Sequence, residues 1–197
     1  MSKHKIEWYK IGKKLIINDK MQKNYSYVLS APYGKKFAMG FNPELSPRQM
    51  LILGIFEGKY LNDCANEFPV EWYEDAKKKD KLRDIANASI NLFGIKSRLS
   101  LQEWRKRKWI PIIKGDKDVR GWFQWYCRYY IGRRDSIVDD IQIKRWRAFI
   151  RHKGQIIKSI VNMKPNKRPK NKTDIMKHRP RQRQALLQWA YNPFVIK

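Results

Sequence analysis

Residues 121–134 read GWFQWYCRYYIGRR, the most aromatic stretch of the chain. On a helix, positions i, i+3, i+4 and i+7 share one face, and this spacing is met by Trp122, Trp125, Tyr126 and Tyr129. Because the neighbouring face is apolar as well, the pattern predicts a central core helix. A second interpretation is a base-stacking surface bordered by Arg128, Arg133 and Arg134, as in proteins that bind single strands. The two interpretations are compatible, since the helix body can be core while its arginine-rich end reaches phosphate.

Outside this stretch, most of the start and stop signals in the sequence are those of helices. Ser46 and Gln49 frame a capping box with proline at the first helical position. Similar starts are predicted at Ser100, Ser136 and Pro180, and Asp118 is a predicted N-cap for the aromatic helix. Further helices are predicted over 60–67 and 82–92, and an apolar stripe predicts one long helix over 137–160.

The N-terminal part of the chain has a different pattern. Short β-branched and aromatic runs at 14–17, 25–29 and 37–41 alternate with turn-prone residues. They predict a small β-hairpin or a three-stranded ribbon. The fold class is therefore mainly α, a single helical domain with a small N-terminal β element. Four segments are predicted: a β-containing part at 1–41, a helical core at 42–162, a basic flexible arm at 163–180, and a C-terminal helix and tail at 181–197.

Charge is the strongest global signal in the 197 residues, with a formal net charge of +26. Residues 101–197 hold 26 basic and 7 acidic side chains, a net charge of +19. An AT-rich genome would explain abundant lysine but not arginine clustered beside aromatic residues. A polyanion would balance this charge, and nucleic acid, DNA or RNA, is the commonest one. The predicted phosphate contacts are Arg105, Arg107, Lys108, Arg128, Arg133, Arg134, Lys144, Arg145, Arg147, Arg151, Arg179, Arg181 and Arg183. Because phosphates carry no sequence information, weak sequence preference is expected.

Two other function classes remain open. Lys59 and Asp63, four residues apart, are candidates for the Schiff-base lysine and proton relay of a DNA glycosylase-lyase. Asp63, Glu67 and Glu71 could supply a nuclease metal cluster. The glycine-rich signature of such glycosylases, the P-loop and the dinucleotide-binding motif are all absent from the sequence, so the balance leans away from an enzyme. The third class is a basic structural component of a ribonucleoprotein or virion.

Composition excludes several other classes. No apolar run approaches the roughly 18 residues that a membrane span needs, and the N-terminus has no secretory pattern. Cys64 and Cys127 cannot build a disulfide framework, and the three histidines lack metal-ligand spacing. The expectation is an intracellular protein, of the cytoplasm or nucleus or encoded by a virus, with no cofactor, metal or membrane partner.

The sequence resembles a family of uncharacterised proteins in three blocks, at 54–64 (GIFEGKYLNDC), 121–134 and 181–191 (RQRQALLQWAY). Members of this family are found in bacteria and in viral and algal genomes. The resemblance covers about residues 37–191 and implies one domain. It implies no activity.

Overall fold

The computed structural model describes residues 3–196, so residues 1, 2 and 197 of the predicted terminal segments lie outside the described residues. Over 3–196, eight α-helices and one two-stranded sheet confirm the predicted fold class. The helices are α1 (Pro47–Leu53), α2 (Val70–Lys78), α3 (Leu101–Lys106), α4 (Trp122–Ile131), α5 (Ser136–Phe149), α6 (Arg151–Val161), α7 (Lys172–Lys177) and α8 (Pro180–Leu187). Among these described helices, none combines the length and apolarity needed to cross a membrane.

The predicted β-hairpin is confirmed. Strand β1 (Lys14–Ile17) pairs antiparallel with β2 (Tyr25–Val28), with Leu15 opposite Tyr27. Both side chains are buried, because residues directly opposite each other on paired strands point to the same face of the sheet. The third strand predicted at 37–41 does not form, and that segment is irregular.

Helix α4 is the centre of the core, as its aromatic pattern predicts. Nine of its ten residues are buried. Gly121 and Gly132 flank it with φ of 82° and 116°, a region that favours glycine. A Cβ on Gly132 would lie 2.1 Å from the carbonyl oxygen of Ala31, and the Gly132 carbonyl accepts from the N–H groups of Ser30 and Ala31. The segment after the hairpin therefore docks on the end of α4 through direct backbone contact.

Several helix starts follow the predicted capping chemistry. The Ser46 side chain accepts from the N–H of Gln49, whose own side chain accepts from the Ser46 N–H, forming the complete capping box of α1. Ser100 caps α3, and α8 begins at Pro180. These helix starts can be predicted from the sequence because the capping hydrogen bonds join side chains and backbone groups only a few residues apart.

Two predicted caps are wrong. Asp118 caps no helix, because its carboxylate is held by the guanidinium groups of Arg128 and Arg133 at 3.1 and 2.6 Å. The N-cap of α5 is Asp135 rather than its neighbour Ser136. In the first case a tertiary ion pair has displaced a local hydrogen bond.

The helix predicted over 82–92 does not form. Its only regular part is one 3-10 turn, Ala88–Ile90. The backbone of this segment bonds across to a distant one instead, for example from the N–H of Leu92 to the carbonyl oxygen of Gly54 at 3.0 Å. Tertiary pairing has replaced the hydrogen bonds that a helix would have made.

The long helix predicted over 137–160 is two helices, α5 and α6, which meet at Ile150. The predicted apolar stripe is buried only in part. Trp146, Ile156 and Ile160 of the stripe are buried, whereas Ile137 and Ile150 are 64% and 55% exposed. The exposed members lie at the start of α5 and at the junction of the two helices.

The predicted basic arm, 163–180, is partly folded. It contains a 3-10 turn at Pro165–Lys167 and helix α7, which is capped by the side chain of Asn171. Ile175 of α7 is buried. This segment is thus anchored to the domain rather than free along its whole length.

Candidate functional site

A cleft of about 900 Å³ is lined by residues of α3, α4, α5, α6 and α8. Four of the eight tryptophans of the chain contribute to it, together with three phenylalanines. The tryptophans are Trp104, Trp109, Trp122 and Trp189. Clefts of roughly 300–1,000 Å³ with mostly apolar walls are typical ligand sites, so this cleft is the leading candidate site.

One wall of the cleft is a continuous stack of rings. Phe149 lies 4.8 Å from Trp189 with planes 9° apart. Trp189 stacks on Trp122 at 4.7 Å, and Trp122 stacks on Tyr126 at 5.1 Å. The stack joins α4, α5 and the residues after α8, so the packing of these helices holds the wall in place.

Five cations line the same cleft, and no acidic residue of the described chain does so. The cations are Lys96, Arg98, Arg145, Arg151 and Arg181. Among residues 3–196, only Arg98 of these five has a carboxylate partner. We refer to Lys96, Arg145, Arg151 and Arg181 as the cationic rim. Four cations without an acidic partner create a strongly positive potential where the walls are apolar.

Arg145 is a rim cation that makes no ion pair with a carboxylate among residues 3–196. Its guanidinium donates to the side-chain oxygen of Gln142 at 3.0 Å and lies 5.8 Å from the ring of Trp189. Burial lowers the pKa of Arg145, and the attraction of Asp116 opposes this shift in part. A half-buried cation without a carboxylate partner is costly, and an anionic ligand would offset that cost.

The remaining cation, Arg98, is held by a strained segment. Phe56 and Glu57 have φ of 48° and 62°, a conformation that costs a non-glycine residue about 1–2 kcal/mol. Phe56 lines the cleft, and the buried carboxylate of Glu57 pairs with Arg98 at 3.0 Å. The second carboxylate oxygen of Glu57 is buried without a hydrogen-bond partner among the described residues. Strain of this kind is concentrated at functional sites, and here it adjoins the cleft.

Some of the predicted phosphate contacts do line the cleft: Arg145, Arg151 and Arg181. Three more are exposed beside it, on the segment that carries Trp109: Arg105, Arg107 and Lys108. The guanidinium of Arg107 lies 5.4 Å from the Trp109 ring and pairs with Glu103 at 2.7 Å. The fold therefore gathers two basic groups that are separate in the sequence.

Three other predicted contacts lie in the interior instead. Arg128, Arg133 and Arg183 are 0%, 3% and 0% exposed. Arg128 pairs with Glu67 at 2.6 Å, and Arg133 pairs with Asp118 at 2.6 Å. Arg183 donates to backbone carbonyls of the C-terminal segment at 2.6 and 2.9 Å. Because they are buried and bonded, these arginines stabilise the fold and do not reach a phosphate.

The last four predicted contacts are outside the cleft. Arg134 donates to backbone carbonyls and lies 3.7 Å from the ring of Tyr129. Arg147 donates to two backbone carbonyls of the 37–41 segment. Lys144 and Arg179 are exposed and do not line the cleft.

The candidate catalytic pair, Lys59 and Asp63, is not assembled. The predicted helix over 60–67 is a 3-10 helix that starts only after Leu61, whose φ of 65° breaks the helical path. Lys59 is exposed, and Asp63 accepts from the guanidinium of Arg120 at 2.6 Å. Within residues 3–196 no hydrogen bond or ion pair joins Lys59 to Asp63.

The carboxylates proposed for a nuclease cluster are likewise engaged. Asp63 pairs with Arg120 and Glu67 with Arg128, while Glu71 accepts from the N–H of Ile6.

Ligand atoms of Asp19, Cys64 and Glu67 lie within 4.8 Å of one another. However, Asp19 and Glu67 are ion-paired to arginines. Burial raises the pKa of the Cys64 thiol, which disfavours the thiolate that a metal needs. The arrangement is a buried ion-pair network rather than a metal site.

Several cleft residues are not among the residues that the sequence predicts. Lys96 and Arg98 come from a segment without a periodic pattern, and Trp109 and Trp189 each follow a polar residue close to the end of a helix. The one available signal is tryptophan next to basic residues, as in the run 104–109 (WRKRKW).

No protein-family model, curated protein or solved structure matches the chain. The three sequence blocks at 54–64, 121–134 and 181–191 all contribute to the cleft, through Phe56, Trp122 and Trp189 respectively. The interpretation of the site therefore rests on its geometry and charge.

Proposed function

We propose that this protein binds nucleic acid through the cleft and its cationic rim. The observation that carries the proposal is the set of four cations that line one cleft and form no ion pair with an acidic side chain of residues 3–196. Phosphate is an anion that suits such a set, because arginine can hold two of its oxygens at once. The proposal places the protein with its polymer inside the cell, in the cytoplasm or nucleus.

The basic surface continues beyond the cleft, which favours a polymer over one small anion. The rim itself consists of Lys96 before α3, Arg145 on α5, Arg151 on α6 and Arg181 on α8. Beyond the rim, the exposed cations at 105–108 continue the basic surface past Trp109. Successive phosphates along a backbone would engage such an extended set.

Phosphate contacts position a nucleic acid but do not distinguish its bases. We therefore expect weak sequence preference and a strong dependence of affinity on salt.

Helix α6 offers a matched pair of variants to test the proposal. Arg151→Gln and Lys158→Gln each remove one exposed cation from this helix, but only Arg151 lines the cleft. Binding to fluorescein-labelled DNA and RNA oligonucleotides would be followed by fluorescence anisotropy at low salt. We expect Arg151→Gln to weaken binding severalfold and Lys158→Gln to leave it nearly unchanged. Equal losses in both variants would show that net charge, not the cleft, drives binding, and the absence of binding to every polymer would refute the proposal.

The same samples, run on a denaturing gel, would test for a nucleic-acid-modifying activity. Intact strands are expected from a binding protein. Strand breaks that disappear in Lys59→Ala would instead support the enzyme class.

A further inference from the structure

We infer that the cleft receives an unstacked base of a single-stranded nucleic acid, so that single strands are preferred over duplexes. This inference rests on the proposed function and identifies which form of the polymer the cleft takes. It concerns the aromatic walls, whereas the proposed function concerns the cationic rim. The inference can therefore fail while the proposed function stands.

The walls offer ring faces that a duplex cannot use. A base in a duplex has both faces covered by its neighbours in the stack, whereas an unpaired base can turn outward and stack on a protein ring. Trp109 is 45% exposed, so its ring is accessible at the mouth of the cleft. Further in, the stacked wall of Phe149, Trp189 and Trp122 provides an apolar surface.

The occupant belongs to a strand rather than being a free nucleotide. Proteins that bind free nucleotides commonly hold the phosphates in one glycine-rich loop, and neither the P-loop nor the dinucleotide-binding motif occurs in the sequence. Here the cations come instead from four separate parts of the chain around an aromatic cleft. That combination, a basic track with stacking rings, is how single strands are held without sequence preference.

The decisive variant is Trp109→Ala, which removes an exposed ring and should leave the core intact. Its matched control is Trp8→Ala, because Trp8 is also partly exposed but does not line the cleft. Trp109→Phe keeps a ring in place. Each protein would be titrated with a labelled oligothymidine, an oligouridine and a DNA duplex, while intrinsic tryptophan fluorescence is recorded in parallel.

We expect wild-type protein to bind single strands more tightly than the duplex, with quenching of tryptophan fluorescence. Trp109→Ala should weaken single-strand binding by about 5- to 150-fold, the loss typical of one stacking ring. Duplex binding should barely change, Trp109→Phe should recover most of the affinity, and Trp8→Ala should behave as wild type. Circular dichroism would confirm that the variants are folded.

Two results would overturn the inference. If Trp109→Ala has no effect and nothing is quenched, while Arg151→Gln still weakens binding, the rim binds phosphate and the cleft takes no base. If adenosine monophosphate competes at concentrations as low as the oligonucleotide does, the cleft takes a free nucleotide. Failure of any polymer to bind at low salt would instead refute the proposed function.

Discussion

Salt dependence offers a quantitative test of the interface, because the number of unpaired cations in the cleft fixes the expected slope. The rim has four cations without a carboxylate partner among residues 3–196. If each contacts one phosphate of a single strand, the rim alone contributes about −2.8 to the slope of the logarithm of the association constant against the logarithm of salt concentration, at about −0.7 per phosphate. This contribution corresponds to a loss of affinity of about 50-fold between 50 and 200 mM salt, and contacts at 105–108 would add to it.

The perturbation that tests this number is the double variant Arg151→Gln/Arg181→Gln. Both side chains are exposed and make no ion pair to a described residue, so the fold should tolerate their loss. Half of the rim would remain, so we expect the slope to become shallower by about 1.4 and the loss of affinity over the same salt range to become about sevenfold smaller. The control is Lys35→Gln/Lys158→Gln, which removes the same charge from exposed positions outside the cleft.

Fluorescence anisotropy with a labelled single-stranded oligonucleotide would supply the slopes at five or more salt concentrations. The control variant should keep the wild-type slope. A double variant with the wild-type slope, or a control that loses as much, would refute the assignment of phosphate contacts to the rim.

The remaining predictions concern the stability of the fold, and urea denaturation followed by circular dichroism would measure each. Gly132→Ala should destabilise the protein by more than about 2 kcal/mol, because the added Cβ would lie 2.1 Å from a carbonyl oxygen. Gly154→Ala should stabilise the protein by about 0.5–1 kcal/mol, because Gly154 lies inside α6 with open space around it. Arg128→Met should lower the free energy of unfolding by about 3–5 kcal/mol, because Glu67 would remain buried without its arginine partner. An unchanged urea midpoint would show that the ion pair is dispensable. Ser46→Ala should cost about 1 kcal/mol through loss of the capping box, and a loss below the error of the measurement would contradict the capping argument.

Local signals account for the parts of the fold that the sequence predicts well. The Ser46 capping box depends on residues three apart, and the core position of α4 depends on a periodicity inside one helix. The hairpin likewise follows from two short runs around a turn. In each case the deciding interactions lie within a few residues of one another, so the sequence carries them directly.

The failures share the opposite cause. The helix at 82–92 is lost to backbone bonds with residues around position 54, and the expected exposure of Arg128 is lost to Glu67, 61 residues away. The cleft is assembled from Lys96, Trp109 and Trp189, which no short window of sequence connects. Contacts over such separations depend on the packed structure, so a pattern search cannot find them.

The distribution of acidic residues connects the interior to the proposed interface. Asp19, Glu57, Glu67 and Asp118 have side chains only 7%, 6%, 2% and 1% exposed, and each pairs with an arginine. The arginine partners are Arg120, Arg98, Arg128 and Arg133.

Because these four arginines balance four carboxylates, the interior pairs are neutral overall and the whole net charge of +26 is carried by the other side chains. These four carboxylates are engaged by arginines outside the rim and do not neutralise it. Total charge alone is therefore a weak guide to an interface, since it counts buried and exposed arginines alike. The informative quantity is the number of cations that share a cleft without an acidic partner, and it is this number that the salt slope measures.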